Sequence, residues 1–368
     1  MNKLQVGIIG WRGLVGSVLL MRMQEENDFN YFTPCFFSTS QASQRAPDFG
    51  QPEKYLLDAY QLDALSTMDI IVTCQGGTYT SEIYPQLRQR GWKGIWLDSA
   101  STLRMHDDSI IVLDPVNQAV INASLDRGIK TFVGGNCTVS LMLLALKGLF
   151  AEKLVEWVSS MTYQAVSGAG AQAMEDLLTQ IQYTTQHLAL GSTQKKALEA
   201  EMSLKTILQS KLLPKDNIGA PILGNLLPWI DTEMVNGQSR EEWKAMQEAN
   251  KILQSQSMIP IDGTCVRVGA FRAHSQALTV KLNKTVDLST IEQMIQSAHS
   301  WIKWVPNCRE NTIQELTPLS VSGTLNISVG RVRKMMLGDK YLNVFTVGDQ
   351  LLWGAAEPLR RVLRQLVS

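Results

Sequence analysis

Gly7-Ile8-Ile9-Gly10-Trp11-Arg12-Gly13-Leu14-Val15-Gly16 is the stretch that decides the fold of this chain. It continues an apolar run, Leu4 to Ile9, that reads as a buried strand, and it opens a segment, Leu14 to Met23, with helical spacing. Glycines between a strand and a helix let the backbone turn tightly and approach a pyrophosphate, which would sit on the helix N-terminus. The spacing is Gly-x-x-Gly-x-x-Gly rather than the stricter Gly-x-Gly-x-x-Gly, so the loop alone favours a nucleotide, with a plain turn as the lesser alternative.

The residues further along support a nucleotide. Phe36-Phe37 lies on a second short strand that ends at Ser38-Thr39-Ser40. A site built for NAD carries an acidic residue there for the ribose 2′-hydroxyl, yet no carboxylate occurs before Asp48. Hydroxyls near Arg12, with Arg45 just beyond, suit a 2′-phosphate, so NADP is the expected cofactor. Asp69 to Thr73, Ile95 to Asp98, Ile110 to Leu113 and Thr131 to Val133 read as further strands, with a helix over Ser81 to Arg90. Short apolar runs alternating with helices predict an α/β, doubly wound parallel sheet of Rossmann type.

Near residue 135 the pattern changes. Thr138 to Leu149 is a strongly apolar helix, and Val155 to Ala165 a longer strand. Helices are expected over Ala171 to Leu188, Lys195 to Gln209 and Leu288 to Ile302. Another is expected over Ser239 to Gln254, with Ser239 and Glu242 forming a capping box. Cys265 to Val268 and Gln276 to Leu282 alternate like half-buried antiparallel strands. Val329 to Met336 and Leu342 to Val347 read as strands, and Pro358 to Val367 as an amphipathic helix. Residues 1–135 are thus expected to bind the nucleotide, and 136–355 to form an α+β domain with a largely antiparallel sheet. No linker separates them.

Composition excludes several classes of function. Lys plus Arg and Asp plus Glu both number 34 in 368 residues, so the net charge is zero. A neutral chain has no global field to attract nucleic acid or an anionic membrane. No run approaches the ~20 apolar residues of a membrane span. Five scattered cysteines without a Cys-x-x-Cys pair, and four histidines without ligand spacing, argue against a metal site. Such cysteines fit a reducing, cytoplasmic setting.

Gly134-Gly135-Asn136-Cys137-Thr138 joins a strand end to a helix start. A thiol there meets the positive end of the helix, which favours thiolate below the free value of about 8.5. Asn136 could donate to a developing oxyanion. Taken alone, Cys137 could equally be a buried structural cysteine.

At this point the chain resembles the aspartate-semialdehyde dehydrogenase family, in the branch typical of Gram-negative bacteria. The resemblance rests on residues 10–18, 36–41, 73–77 and 132–142, on Pro-Trp-Ile-Asp (228–231), and on residues 237–244, 265–270, 274–277 and 345–361. It covers nearly the whole chain. It implies reversible reductive dephosphorylation of L-aspartyl 4-phosphate by NADPH, within lysine (diaminopimelate), threonine, methionine and isoleucine biosynthesis. It implies Cys137 as nucleophile and His274 as proton acceptor and donor. Arg267 and Glu241 would hold the substrate carboxylate and amino group, with Gln164 also in contact with substrate. Arg104 and Lys244 would bind phosphate. NADP would be held by Gly10, Arg12, Gly13, Leu14, Val15, Thr39, Ser40, Gln75, Ser167, Gly168, Gly170 and Gln350. A homodimer formed through the second domain is implied, and the helix 356–368 would return to the first.

Arg12, Arg104, Lys244 and Arg267 would make the site strongly cationic. On their own, Glu241 and Lys244 would be a surface ion pair on one helix. Arg267 and His274 in one straight strand would face opposite sides about 23 Å apart, so a turn is expected at Gly269. The segment 191–200 departs from relatives that place a proline against NADP there, and Gln172 stands where some carry arginine; no cofactor contact is expected from either. Two other readings stay open, an N-acetyl-glutamyl-phosphate reductase-like enzyme and a non-catalytic NADP-binding paralogue. The first has no need of Glu241 as an amine contact, and the second has no need of Cys137, His274 and Arg267 together.

Overall fold

The computed structural model describes residues 3–188 and 195–368. Residues 191–194, within the segment to which no cofactor contact was assigned, lie outside the described residues. Seven strands come first: β1 (Gln5–Ile9), β2 (Thr33–Ser38), β3 (Leu57–Asp58), β4 (Ile70–Thr73), β5 (Ile95–Asp98), β6 (Ser109–Val112) and β7 (Thr131–Gly134). They form one sheet in the order β3-β2-β1-β4-β5-β7-β6. Every pairing in it is parallel.

Side chains that alternate along these strands fill two separate cores. Val6, Ile8, Phe36, Ile70 and Val72 face one side, with Leu19 and Met23 of the helix Leu14–Glu25. Ile9, Phe37 and Ile71 face the other, with Ile83 and Leu87 of the helix Gly77–Gln89. Both faces are covered, which explains why these strands read as continuous apolar runs. The order turns back between β1 and β4, so the loops after β1, β2 and β4 meet at one edge crevice.

The second sheet is mixed and mostly antiparallel. Its strands are β8 (Val155–Gln164), β9 (Leu226–Leu227), β10 (Ile261–Asp262), β11 (Cys265–Val268), β12 (Ala273–Leu282), β13 (Ile302–Trp304), β14 (Ile327–Met335) and β15 (Gly338–Asp349). The order is β13-β14-β15-β12-β8-β11-β9, with β10 also on β8. β11 corrects the antiparallel expectation, because it runs parallel to β8 and antiparallel only to the short β9. The chain turns at residues 269–272, and β8 then lies between Arg267 on β11 and His274 on β12. The helix expected to run from Leu288 to Ile302 stops at Gln296. Ile302–Trp304 instead pairs with Ile327–Val329, so sheet pairing overrides the helical spacing.

The apolar helix Cys137–Ala151 is buried on nearly all sides beneath this sheet. The helix Arg240–Leu253 begins with the Ser239–Glu242 capping box, worth about 1 kcal/mol. The helix Glu357–Val367 packs on the first sheet through Leu359, Val362 and Leu363. Its Arg360 meets Asp28 at 2.9 Å, and its Glu357 meets Arg22 at 3.0 Å.

Candidate active site

The first crevice collects Gly10, Arg12, Gly13, Thr39, Ser40 and Gln75 around about 360 Å³. Gly10 has φ +73, and a Cβ there would lie 2.4 Å from the Cys74 carbonyl carbon. Only glycine fits this close crossing of two loops. Arg12 Nη2 donates to Ser38 Oγ at 3.0 Å and to Ser40 Oγ at 3.4 Å, and the guanidinium lies over the Trp11 ring. No carboxylate pairs with it among the described residues. Gln75 Nε2 donates to Thr39 Oγ1 at 3.4 Å. Leu14 and Val15 open the helix behind the loop. An open loop with free backbone N–H groups, hydroxyls and an arginine fits the phosphates of a nicotinamide dinucleotide.

A second cleft of about 430 Å³ brings together Arg104, Asn136, Cys137, Gln164, Glu241, Lys244 and Arg267. Gly168 and Gln350 also line it. Gln350 Nε2 donates to Ser167 Oγ at 2.8 Å, and Gly170 closes this loop with φ +97. Cys137 is the first residue of its helix, and Asn136 caps it by accepting the Thr138 and Val139 N–H groups. His274, fully buried, places Nε2 3.2 Å from Cys137 Sγ. The Ala165 N–H donates to His274 Nδ1 at 2.9 Å.

Two expectations about this cleft are corrected. The thiol does not follow the helix terminus alone: burial pushes Cys137 up to about 12, with Glu241 adding and Arg267, Arg104 and Lys244 opposing. Nor is the cleft strongly cationic. Arg104 pairs with Glu248 at 3.1 Å, and Lys244 with Asp231 at 2.6 Å and Glu241 at 3.1 Å. Of the three cleft cations, only Arg267 lacks an acidic partner among the described residues. It donates to Ala165 O at 2.7 Å, and burial holds it below its ordinary value. A buried arginine fork without a counter-ion is arranged for a carboxylate.

Asn136 is also more committed than the sequence suggests. Its Nδ2 donates to Glu241 Oε1 at 2.9 Å, and Gln164 Nε2 donates to the same oxygen at 3.1 Å. The Cys137 N–H, first in its helix, has no intrahelical acceptor and is a second donor near the sulfur. Glu248 and Asp231 went unassigned in the sequence. Glu241, Lys244 and Glu248 share one helix face, a spacing that could have flagged Glu248. Asp231 stands in the Pro-Trp-Ile-Asp motif.

Comparison with known proteins identifies the family. Residues 5–124 match the semialdehyde dehydrogenase NAD binding domain, and residues 146–353 match the semialdehyde dehydrogenase dimerisation domain. Aspartate semialdehyde dehydrogenase from Francisella tularensis is 50% identical, each chain covering 99% of the other, with a TM-score of 0.95. The chain belongs to the aspartate-semialdehyde dehydrogenase family. It is an enzyme of that family with a nicotinamide-dinucleotide domain and a dimerisation domain. More distant aspartate-semialdehyde dehydrogenases keep the fold. Aspartate semialdehyde dehydrogenase II from Vibrio cholerae, solved in complex with ASA, is 24% identical, with coverages of 100% and 99% and a TM-score of 0.81. The Candida albicans enzyme, solved with NADP, is 16% identical, with coverages of 100% and 98% and a TM-score of 0.65. No helix among the described residues is long and apolar enough to cross a membrane.

Proposed function

We propose that this enzyme is NADP-dependent and phosphorylating. It interconverts L-aspartate 4-semialdehyde, phosphate and NADP with L-aspartyl 4-phosphate and NADPH, through a thioester on Cys137. It would serve the biosynthesis of lysine, through diaminopimelate, and of threonine, methionine and isoleucine. The observation that carries this reading is the Cys137–His274 contact beside Arg267, the one cleft cation without an acidic partner among the described residues.

Arg267 takes the substrate carboxylate bidentately. Glu241 takes the amino group, while Asn136 and Gln164 fix its carboxylate in place. Cys137 adds to the carbonyl carbon and stores the acyl group as a thioester. Arg104 and Lys244 stand where phosphate would approach the acyl carbon. Arg12, Ser38, Ser40 and Thr39 take the 2′-phosphate, and Ser167, Gly168, Gly170 and Gln350 line the path toward Cys137. NADP, when bound, accepts the hydride.

We place the enzyme in the cytoplasm as a homodimer. Free cysteines suit a reducing compartment. The exposed Met161 and Tyr163 on β8 offer apolar surface for a second copy.

The test is NADP reduction by the purified protein with L-aspartate 4-semialdehyde, with and without phosphate. A phosphate-dependent signal is expected, and its absence at saturating substrate would sink the assignment. Cys137→Ala should lose turnover and keep NADP binding. Sedimentation measures the dimer.

A further inference from the structure

We propose that Asp231 sets the selectivity of the cleft for a free amine: by offsetting Lys244, it leaves Glu241 with the net negative charge that an ammonium group requires. This rests on the reading above in which Glu241 takes the substrate amino group. Asp231 acts through Lys244, so it is a positioning residue.

The argument starts at Lys244. Its ammonium lies between two carboxylates, 2.6 Å from Asp231 Oδ2 and 3.1 Å from Glu241 Oε2. Glu241 and Lys244 are i, i+3 on one helix and would pair with each other by default. Asp231 reaches in from the loop before that helix and makes the shorter contact. Its side chain is 26% exposed and that of Lys244 12%, so water screens the pair only in part.

The loop holds the Asp231 carboxylate in place. Asp231 has φ +73, a conformation that Asp and Asn adopt more readily than most side chains. Its carbonyl accepts the Trp229 indole N–H at 2.9 Å, and its Oδ1 accepts the Thr232 N–H at 2.8 Å. The Thr232 carbonyl accepts the Arg240 N–H at 2.7 Å, which ties the loop to the start of the helix. Oδ2 is left for Lys244.

The lone pairs of Glu241 show where an amine fits. Oε1 receives Asn136 Nδ2 and Gln164 Nε2, and a carboxylate oxygen accepts two donors. Among the described residues Oε2 receives Lys244 alone. One acceptor position therefore stays open on a residue that lines the cleft.

A substrate ammonium at that position shares Oε2 with Lys244. Two cations on one buried carboxylate would leave an unmatched positive charge. Asp231 supplies the missing negative charge. All three groups are ionised. Burial raises the Glu241 and Asp231 carboxyls, but Lys244 and the neighbouring donors more than offset it. Burial lowers Lys244, and the two carboxylates more than offset that. Two carboxylates and one ammonium sum to −1. Arg240, the other cation near Asp231, is exposed and screened. Across the cleft Arg267 carries +1 with no acidic partner among the described residues, while Arg104 and Glu248 cancel. The cleft thus presents one positive and one negative unit, the complement of an α-amino acid zwitterion. An acylated amine carries no charge and would leave the negative unit unmatched.

The experiment removes the charge and keeps the shape. Asn adopts the same φ, so Asp231→Asn is the test variant, and Asp231→Glu restores the charge. Steady-state kinetics compare L-aspartate 4-semialdehyde with 4-oxobutanoate, which lacks only the amine. If 4-oxobutanoate is not turned over, its competitive inhibition constant is read instead. In Asp231→Asn the amine-bearing substrate should lose at least about tenfold in kcat/KM, mainly through KM, while 4-oxobutanoate changes by less than about threefold. Asp231→Glu should recover most of the loss. Equal losses for the two compounds, or no loss for either, would overturn the proposal. Calorimetry of L-aspartate against succinate, which again differ only in the amine, repeats the comparison without turnover. Wild type should prefer L-aspartate by about tenfold or more, and Asp231→Asn should not. No preference in the wild type, or one that survives in Asp231→Asn, would also overturn it. An enzyme inactive with semialdehyde that keeps the expected binding pattern would refute the assigned reaction and leave the amine site standing.

Discussion

Glu248 and Asn136 lie 112 positions apart, and Glu248 Oε2 accepts the Asn136 backbone N–H at 2.7 Å. The other oxygen of Glu248 accepts from Arg104 Nη1 at 3.1 Å. Arg104 in turn donates to the Gly134 and Gly135 carbonyls at 2.7 and 3.1 Å. One carboxylate, 2% exposed, thus braces the turn that presents Cys137. Glu248→Ala leaves a buried guanidinium unpaired and should cost about 3–5 kcal/mol in urea unfolding. Glu248→Gln keeps an acceptor oxygen and should cost less, about 1–3 kcal/mol. Equal losses would contradict an ion-pair brace.

Arg12 is held by Ser38 and Ser40 and has no acidic partner among the described residues. Arg12→Ala should weaken NADP binding by about 10- to 100-fold, the equivalent of losing ~1.5–3 kcal/mol of charged hydrogen bonding. NAD binding should hardly change. Fluorescence titration with both nucleotides is the check, and parallel losses would remove the 2′-phosphate from Arg12.

His299 lies away from the cleft, with Nε2 3.0 Å from the Leu144 carbonyl. Burial holds its imidazole below the ordinary value, the Leu144 carbonyl opposing and Lys147 assisting. As pH falls, the unfolded chain takes up this proton first. The stability contributed by the neutral ring is full above about pH 6.5 and declines below it, down to the folded value. Urea unfolding of wild type and His299→Gln at about pH 8 and pH 5 isolates the effect. Wild type should lose stability relative to the variant on acidification; a relative gain would reverse the sign.

Gly168 leaves room that the site uses. A Cβ there would lie 2.8 Å from Arg267 Nη1 and 3.2 Å from His274 Cε1. The guanidinium end is flexible, so Gly168→Ala should fold with a change within about 0.5 kcal/mol. Displacing Arg267 should lower kcat/KM for semialdehyde about tenfold or more. Unaltered kinetics would show that the cleft tolerates the methyl group.

Much of this architecture was legible because its signals are local. β1 and β4 are apolar runs covered on both faces, and Ser239 with Glu242 forms its capping box within one helical turn. The separation of Arg267 from His274 followed from strand geometry alone, and β8 lies between them. What escaped the sequence depends on distant partners. Glu248 meets Arg104 across 144 positions, and Lys244 meets Asp231 from a neighbouring loop. These pairings removed the expected cationic excess. For the Cys137 thiol a helix terminus shows in the sequence, whereas the opposing effect of its surroundings, Glu241 among them, does not.

The helix Glu357–Val367 completes a sheet whose first strand begins at Gln5. Arg360 is synthesised 332 residues after its partner Asp28. At ~5–20 residues per second, the nascent nucleotide half waits on the order of tens of seconds with part of one apolar face uncovered. The second sheet is made entirely within that interval. The protein therefore finishes its oldest part last, once residue 363 is in place.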